Sequence, residues 1–137
     1  MIREMVDDDL GIIYNYLAEE FSTVPNGKGL VTTLKFVIAS AEYRYVLETE
    51  DGLLIGYYVY TEKTKNTAEL SSVFIAPHYR HTKYARELWA HGADKLHNYL
   101  LVKCYSSYST QVMPKKYYNK YRKSADMKKL YERLANG

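Results

Sequence analysis

The chain has 137 residues, 47% of them hydrophobic, with 19 Lys and Arg against 16 Asp and Glu. That size and apolar content suit one domain with one core and exclude a tandem architecture. With no apolar run of membrane-spanning length and a start that turns acidic within ten residues, a soluble, cytoplasmic protein without membrane contact is expected, and the single cysteine, Cys104, excludes an internal disulfide.

In chain order, residues 2–5 read as a short first strand. Asp7, Asp8 and Asp9 are acidic residues suited to a helix start, and Leu10, Ile13, Leu17 and Phe21 follow at helical spacing. Residues 22–29 carry the turn formers of a loop. A second helix follows, with Leu30, Leu34, Val37, Ile38 and Ala41 on one stripe. Residues 43–48 and 53–60 read as two strands joined at Glu50-Asp51-Gly52, a hairpin signal. A polar loop over 62–67 leads into a strand that carries Glu69 and ends at Pro77, since proline cannot donate to a sheet ladder. Glu69, Ser71, Val73 and Ile75 alternate with Leu70, Ser72, Phe74 and Ala76, which places Glu69, Val73 and Ile75 on one face of a regular strand. From Thr82 the period becomes helical, with Ala85, Leu88, Trp89, Leu96, Tyr99 and Leu100 on one stripe. Residues 101–107 read as a further strand, and Pro114 opens a basic, tyrosine-rich helical tail over 114–137.

Charge is divided unevenly along the chain: six Lys and Arg face twelve Asp and Glu in residues 1–70, and thirteen face four in residues 71–137. A basic C-terminal half suits a polyanionic partner, either the phosphates of a small ligand or a nucleic acid backbone, or it is the solvated face of a helix. Sixteen tyrosines accompany three Phe and one Trp. Basic residues interleaved with aromatics can stack nucleobases, but no RNA-binding motif accompanies them, and tyrosine at strand and helix spacing more often packs with its hydroxyl outward. His78, His81, His91 and His97 lack companions at ligand spacing, so no metal site is expected.

The passage from strand to helix around Arg80 has a chemical use. A helix start presents unpaired N–H groups and a positive dipole end, and an arginine beside it adds a donor for phosphate. The spacing Arg80-x-x-Lys83-x-Ala85 resembles the pyrophosphate motif of the GNAT superfamily, the acyl-CoA-dependent N-acyltransferases, whose pattern is Arg or Gln, two residues, Gly, one residue, then Gly or Ala. Lys83 stands in place of the glycine, where it either narrows the loop or offers its charge to the phosphates.

The resemblance implies an α/β fold with a mixed, mostly antiparallel central sheet flanked by helices, in the order β-α-α-β-β-β-α-β-α and lacking the usual last two strands. A sheet shortened in this way has an edge to be covered by the basic tail, a second subunit or another partner. It further implies acetyl-CoA as cosubstrate and an amine as acceptor. Val73, Phe74 and Ile75 would pair with the pantetheine arm, while Arg80, His81, Thr82, Lys83, Tyr84 and Ala85 would cradle the pyrophosphate. Glu69 would be the general base, its pKa raised by apolar neighbours. Tyr131, within a Leu-Tyr-Glu segment similar to the family's, would be the general acid, with Tyr117 or Tyr118 as substitutes. Two readings stand: an N-acetyltransferase acting on a protein or small amine, or a GNAT-fold protein without cofactor binding that engages a protein or nucleic acid, as in short phage-encoded members with structural or host-directed roles. Glu69 and Arg80 favour the first, and Lys83 and the missing strands favour the second.

Overall fold

The computed structural model describes residues 1–104 and 121–123. Six strands form one sheet in the order β1(Ile2–Glu4), β2(Tyr43–Glu48), β3(Leu54–Thr64), β4(Thr67–Ile75), β5(Leu101–Cys104) and β6(Tyr121–Lys123). All neighbours are antiparallel except β4 and β5, which are parallel. Helices α1(Leu10–Glu20) and α2(Gly27–Ser40) lie on one face, where Tyr16 of α1 meets Phe74 of β4. Helix α3(Lys83–Leu96) covers the other, where His91 meets Tyr45 and Tyr58. This is the mixed α/β architecture expected from the order of elements.

The helices bury the apolar stripes that periodicity predicts. Ile13, Leu17 and Phe21 are buried from the first helical segment, Val31, Leu34 and Ile38 from α2, and Ala85, Leu88, Trp89, Ala93 and Leu96 from α3. Leu100 is 63% exposed, against expectation, because α3 ends at Leu96 and the helical period no longer governs the residues beyond it. The first helix begins directly after the three aspartates, which form a short 3-10 turn of their own. There Asp9 accepts a hydrogen bond from the Val6 N–H at 2.8 Å and pairs with Arg3 at 2.8 Å. Arg3 also binds Glu48, so one guanidinium ties β1 and β2 to the entry of α1. The arginine beside it holds the Asp9 carboxyl below its ordinary pKa.

Between β2 and β3 the chain turns at Gly52, whose φ of +82° lies in the region open to glycine, with the Gly52 N–H donating to Thr49 O at 2.9 Å. The loop expected over 62–67 is a tight turn at Lys65 and Asn66 instead, because β3 continues through the polar residues Glu62, Lys63 and Thr64. Exposed strand ends hydrogen-bond as well as buried ones, and an apolar pattern does not register them.

All the hairpin tyrosines except the exposed Tyr43 are core material. Tyr45, Tyr57, Tyr58 and Tyr60 are all buried. Tyr43 stacks on Tyr60 at 4.7 Å and Tyr45 on Tyr58 at 5.2 Å across the β2–β3 ladder, the cross-strand pairing that stabilises sheets. Rings held in this way are not offered to nucleobases. Tyr105, Tyr108, Tyr117 and Tyr118 lie outside the described residues. Within the segment expected as a helical tail, Tyr121–Lys123 is strand β6, paired with β5. The unpaired edge that β5 would present outweighs local helical pattern there, so the cover comes from the chain's own tail. Among the described residues, no helix is long and apolar enough to cross a membrane.

Two outcomes follow for stability. Asp9→Asn should lower it by about 2 kcal/mol, the scale of a hydrogen bond to a charged group, measured by urea unfolding. His91 lies 2.6 Å from the Tyr58 hydroxyl, and burial, aided by Lys95, holds its pKa below the ordinary 6.5. The unfolded chain therefore binds the extra proton first as pH falls. The contribution of His91 is full above about pH 6.5 and is lost as pH drops through the lowered folded value. The unfolding midpoint should fall between pH 7 and 5, and His91→Gln should flatten that slope.

Candidate functional site

The site begins with one inserted residue. Val59 of β3 pairs with Ser72, and the next residue, Tyr60, pairs with Leu70, so Ser71 is an extra residue in β4, a β-bulge. The side-chain period of 2 is therefore broken at Ser71. Leu70, opposite Tyr60, and Val73, opposite Tyr58, both face α3, whereas Glu69, opposite Thr61, faces the α1 and α2 side. The expectation that Glu69 shares a face with Val73 and Ile75 is thereby corrected. Glu69 is largely covered, 17% of its side chain being exposed, and its Oε2 lies 3.5 Å from Lys63 Nζ on the same face.

Strand β5 accompanies β4 from Thr67 to Leu70, and among the described residues β4 has no strand partner on that side from Ser71 onward. The other side stays in the ladder, with Phe74 opposite Tyr57 and Ile75 opposite Gly56. Glycine is needed there, since a Cβ on Gly56 would come within 2.8 Å of Phe74 O. The Ala76 N–H donates to Ile55 O of β3 at 2.7 Å. Backbone groups alternate in direction along a strand, so those of Val73 and Ile75 point away from β3, to the open side. Ile75 O is already taken, accepting from Arg80 Nε at 2.8 Å. Among the described residues, no strand pairs with the Val73 N–H and C=O or the Ile75 N–H.

Beyond β4, Pro77–Tyr79 make a single 3-10 turn, His81 sits at φ +64°, and Thr82 caps α3. Thr82 Oγ1 donates to Tyr79 O at 2.5 Å and accepts from the Tyr84 N–H at 3.3 Å, and the Arg86 N–H makes the first intrahelical bond to Thr82 O. In the first turn, Lys83 and Ala85 have N–H groups without intrahelical acceptors, at the positive end of a 14-residue helix. An open strand edge carrying amides, followed by a helix start, fits an extended amide-bearing chain that ends in phosphates.

The two cations of this loop differ in commitment. Besides Ile75 O, Arg80 binds Glu20 Oε1, at the end of α1, through Nη2 at 3.0 Å, and its guanidinium lies 5.5 Å from the Phe74 ring centre. Both side chains of that ion pair are mostly covered, 15% and 13% exposed. Lys83 pairs with Glu50 of the β2–β3 turn at 2.7 Å with both side chains open to solvent. Its backbone is ordinary helix, so the absence of glycine strains nothing, and its ammonium projects toward Glu50. Each partner depresses or raises the other in the usual sense: Glu50 lies below its ordinary pKa and Lys83 above. Tyr79 and Tyr84 meet edge to face at 5.7 Å and brace the loop.

Of the residues expected at a site, Val73, Phe74, Ile75 and 80–85 are thus brought together, with the Phe74 side chain turned away toward Tyr16. Tyr131, Tyr117 and Tyr118 lie outside the described residues. Glu20 and Glu50 escape a reading of the sequence because they meet the loop from 60 and 33 positions away.

A family model described as Acetyltransferase (GNAT) family matches residues 10–114. No curated protein matches the sequence. Among solved structures, the chain is similar to a histone acetyltransferase HPA2 and related acetyltransferase from Corynebacterium glutamicum, with TM-score 0.59 and 15% identity over 81% of this chain and 80% of that one. It is similar to Tetrahymena GCN5, with TM-score 0.59 and 14% identity over 78% and 71%. It is also similar to a spermidine N-acetyltransferase from Vibrio cholerae in complex with CoA and spermine, with TM-score 0.51 and 23% identity over 74% and 68%.

Arg80→Gln should destabilise the fold by about 2 kcal/mol, since it removes a charged hydrogen-bond donor from a mostly covered carboxylate and a strand carbonyl. Lys83→Gln should leave the urea midpoint unchanged, because an exposed pair contributes little.

Proposed function

The chain belongs to the GNAT acetyltransferase family, and we propose that it transfers an acetyl group from acetyl-CoA to an amine of a small molecule or protein. What carries this reading is the open edge of β4 at Val73 and Ile75, running directly into the start of α3. The pantetheine amides would lie along that edge and the pyrophosphate at residues 80–85, held by first-turn N–H groups. Lys83 is the cation available to the phosphates, because its bond to Glu50 is solvent-exposed and easily exchanged. Arg80, in contrast, holds the loop in place.

The bound thioester supplies the activated acetyl group. The chain's part is to align it, accept a proton from the acceptor amine and return one to the leaving thiolate. Glu69 is the proposed base, reaching the amine directly or through one water, and Tyr131 is the proposed acid. The second reading, a binder of protein or nucleic acid without cofactor, drew on Lys83 and the missing terminal strands, with the basic tail as a surface for a polyanion. Lys83 now counts less for it, since its side chain leaves the helix start open, and the tail's residues 105–120 and 124–137 lie outside the described ones.

Acetyl-CoA at a hundredfold over Kd should stabilise the chain by about 2.7 kcal/mol, and no shift at millimolar ligand would remove the enzyme reading. Glu69→Gln should then lower kcat by about 100-fold or more with acetyl-CoA binding intact; unchanged turnover would take Glu69 out of the mechanism. Glu50→Gln, by freeing Lys83, should tighten CoA binding, read as a lower Kd by calorimetry.

A further inference from the structure

Glu20 is the last residue of α1, distant in sequence from every residue of the acyl-CoA site, yet its carboxylate is one of the groups that fix Arg80. Another is Ile75 O, on the strand edge itself. Arg80 sits between that edge and Thr82, the cap from which α3 starts. A guanidinium is a planar fork, so two acceptors at fixed directions set its orientation and, through its short chain segment, the path of residues 80–82. The residue following Arg80 is His81, at φ +64°, a conformation that L side chains adopt rarely and that persists only where the surroundings impose it. The Thr82 cap stands next in line. Glu20 is also mostly covered and lies at the negative end of the α1 dipole, which favours a cation there.

We propose that Glu20 is a positioning residue for the phosphate-binding loop, acting through Arg80: it holds the guanidinium against Ile75 O and so keeps the first-turn N–H groups of α3 in the geometry that a pyrophosphate requires. The inference rests on the acetyltransferase reading. It adds that affinity for the phosphate end of the cosubstrate is set in part from helix α1 on the opposite face of the sheet. Glu20 touches neither thioester nor amine in this scheme, so its loss should weaken binding and leave the chemical step alone.

The test compares wild type, Glu20→Gln, Glu20→Asp and the same Glu20→Gln change in an Arg80→Gln background, with CoA binding measured by calorimetry and acetyl transfer to a small amine by steady-state kinetics. Glu20→Gln should raise the Kd for CoA and the KM for acetyl-CoA about tenfold, with kcat at saturation within about twofold. Glu20→Asp should recover most of the affinity, and in the Arg80→Gln background the change should cost less than about twofold, since its route is already cut. Equal affinity losses in both backgrounds, a fall in kcat at unchanged KM, or no change at all would overturn the inference. Should Glu20→Gln fail to fold, Glu20→Asp against wild type decides it, since a shortened acid that leaves both Kd and KM unmoved in the folded protein contradicts positioning by this carboxylate. Absence of CoA binding by the wild type would bring down the acetyltransferase reading itself, which distinguishes that failure from this one.

Discussion

One extra residue in β4 governs the site. Ser71 sits in the strand without a counterpart in β3, and among the described residues the pairing with β5 runs as far as the residue before it. Past the insertion, one edge of β4 remains in the ladder with β3, while the other has no strand partner among the described residues. A backbone edge with unsatisfied N–H and C=O groups is a hazard on a surface and a binding element in a cleft. Here it leads straight to a capped helix start, so a linear ligand with amides at one end and phosphates at the other meets complementary groups in the right order.

Electrostatics then divides the labour between two cations. A covered ion pair resists the loss of either member, because the remaining charge would be stranded; an exposed one is screened and contributes little. Arg80 belongs to the first class and Lys83 to the second. The arginine that a motif reading assigns to phosphate is therefore a structural clamp joining β4, α1 and the loop. The lysine that looks like a defect in the motif lies in an exposed pair with Glu50, and on the proposed reading it is the charge that turns toward an incoming anion. A lysine in place of glycine at that position leaves the backbone unchanged, since it is helical from Lys83 onward.

The order of elements was legible because each segment carries its own period: the α1 stripe of Ile13 and Leu17, the Asp51-Gly52 turn, and the change of period across Pro77 all form as local rules dictate. Family membership was legible from Arg80-x-x-Lys83-x-Ala85 together with that order. What local rules could not supply were features fixed by distant partners. Nothing in Leu70-Ser71-Ser72-Val73 marks a bulge, since all four residues are buried and alternation alone places Glu69 beside Val73. Strand β6 forms where an edge needs a partner, against a sequence that reads as helix. The Glu20–Arg80 and Glu50–Lys83 bonds join residues that only the tertiary fold makes neighbours. The sixteen tyrosines were ambiguous for the same reason: a ladder of stacked rings and a nucleobase platform look alike until burial tells them apart.

The central claim is that the open edge of β4 and the start of α3 together receive the cosubstrate. Amide hydrogen exchange, followed by mass spectrometry with and without CoA, reads those backbone groups directly. Protection on adding CoA should be concentrated in peptides covering residues 71–76 and 80–86, with β1 and the solvent face of α2 unchanged. Binding that left both segments unprotected, or that protected only other parts of the chain, would contradict it.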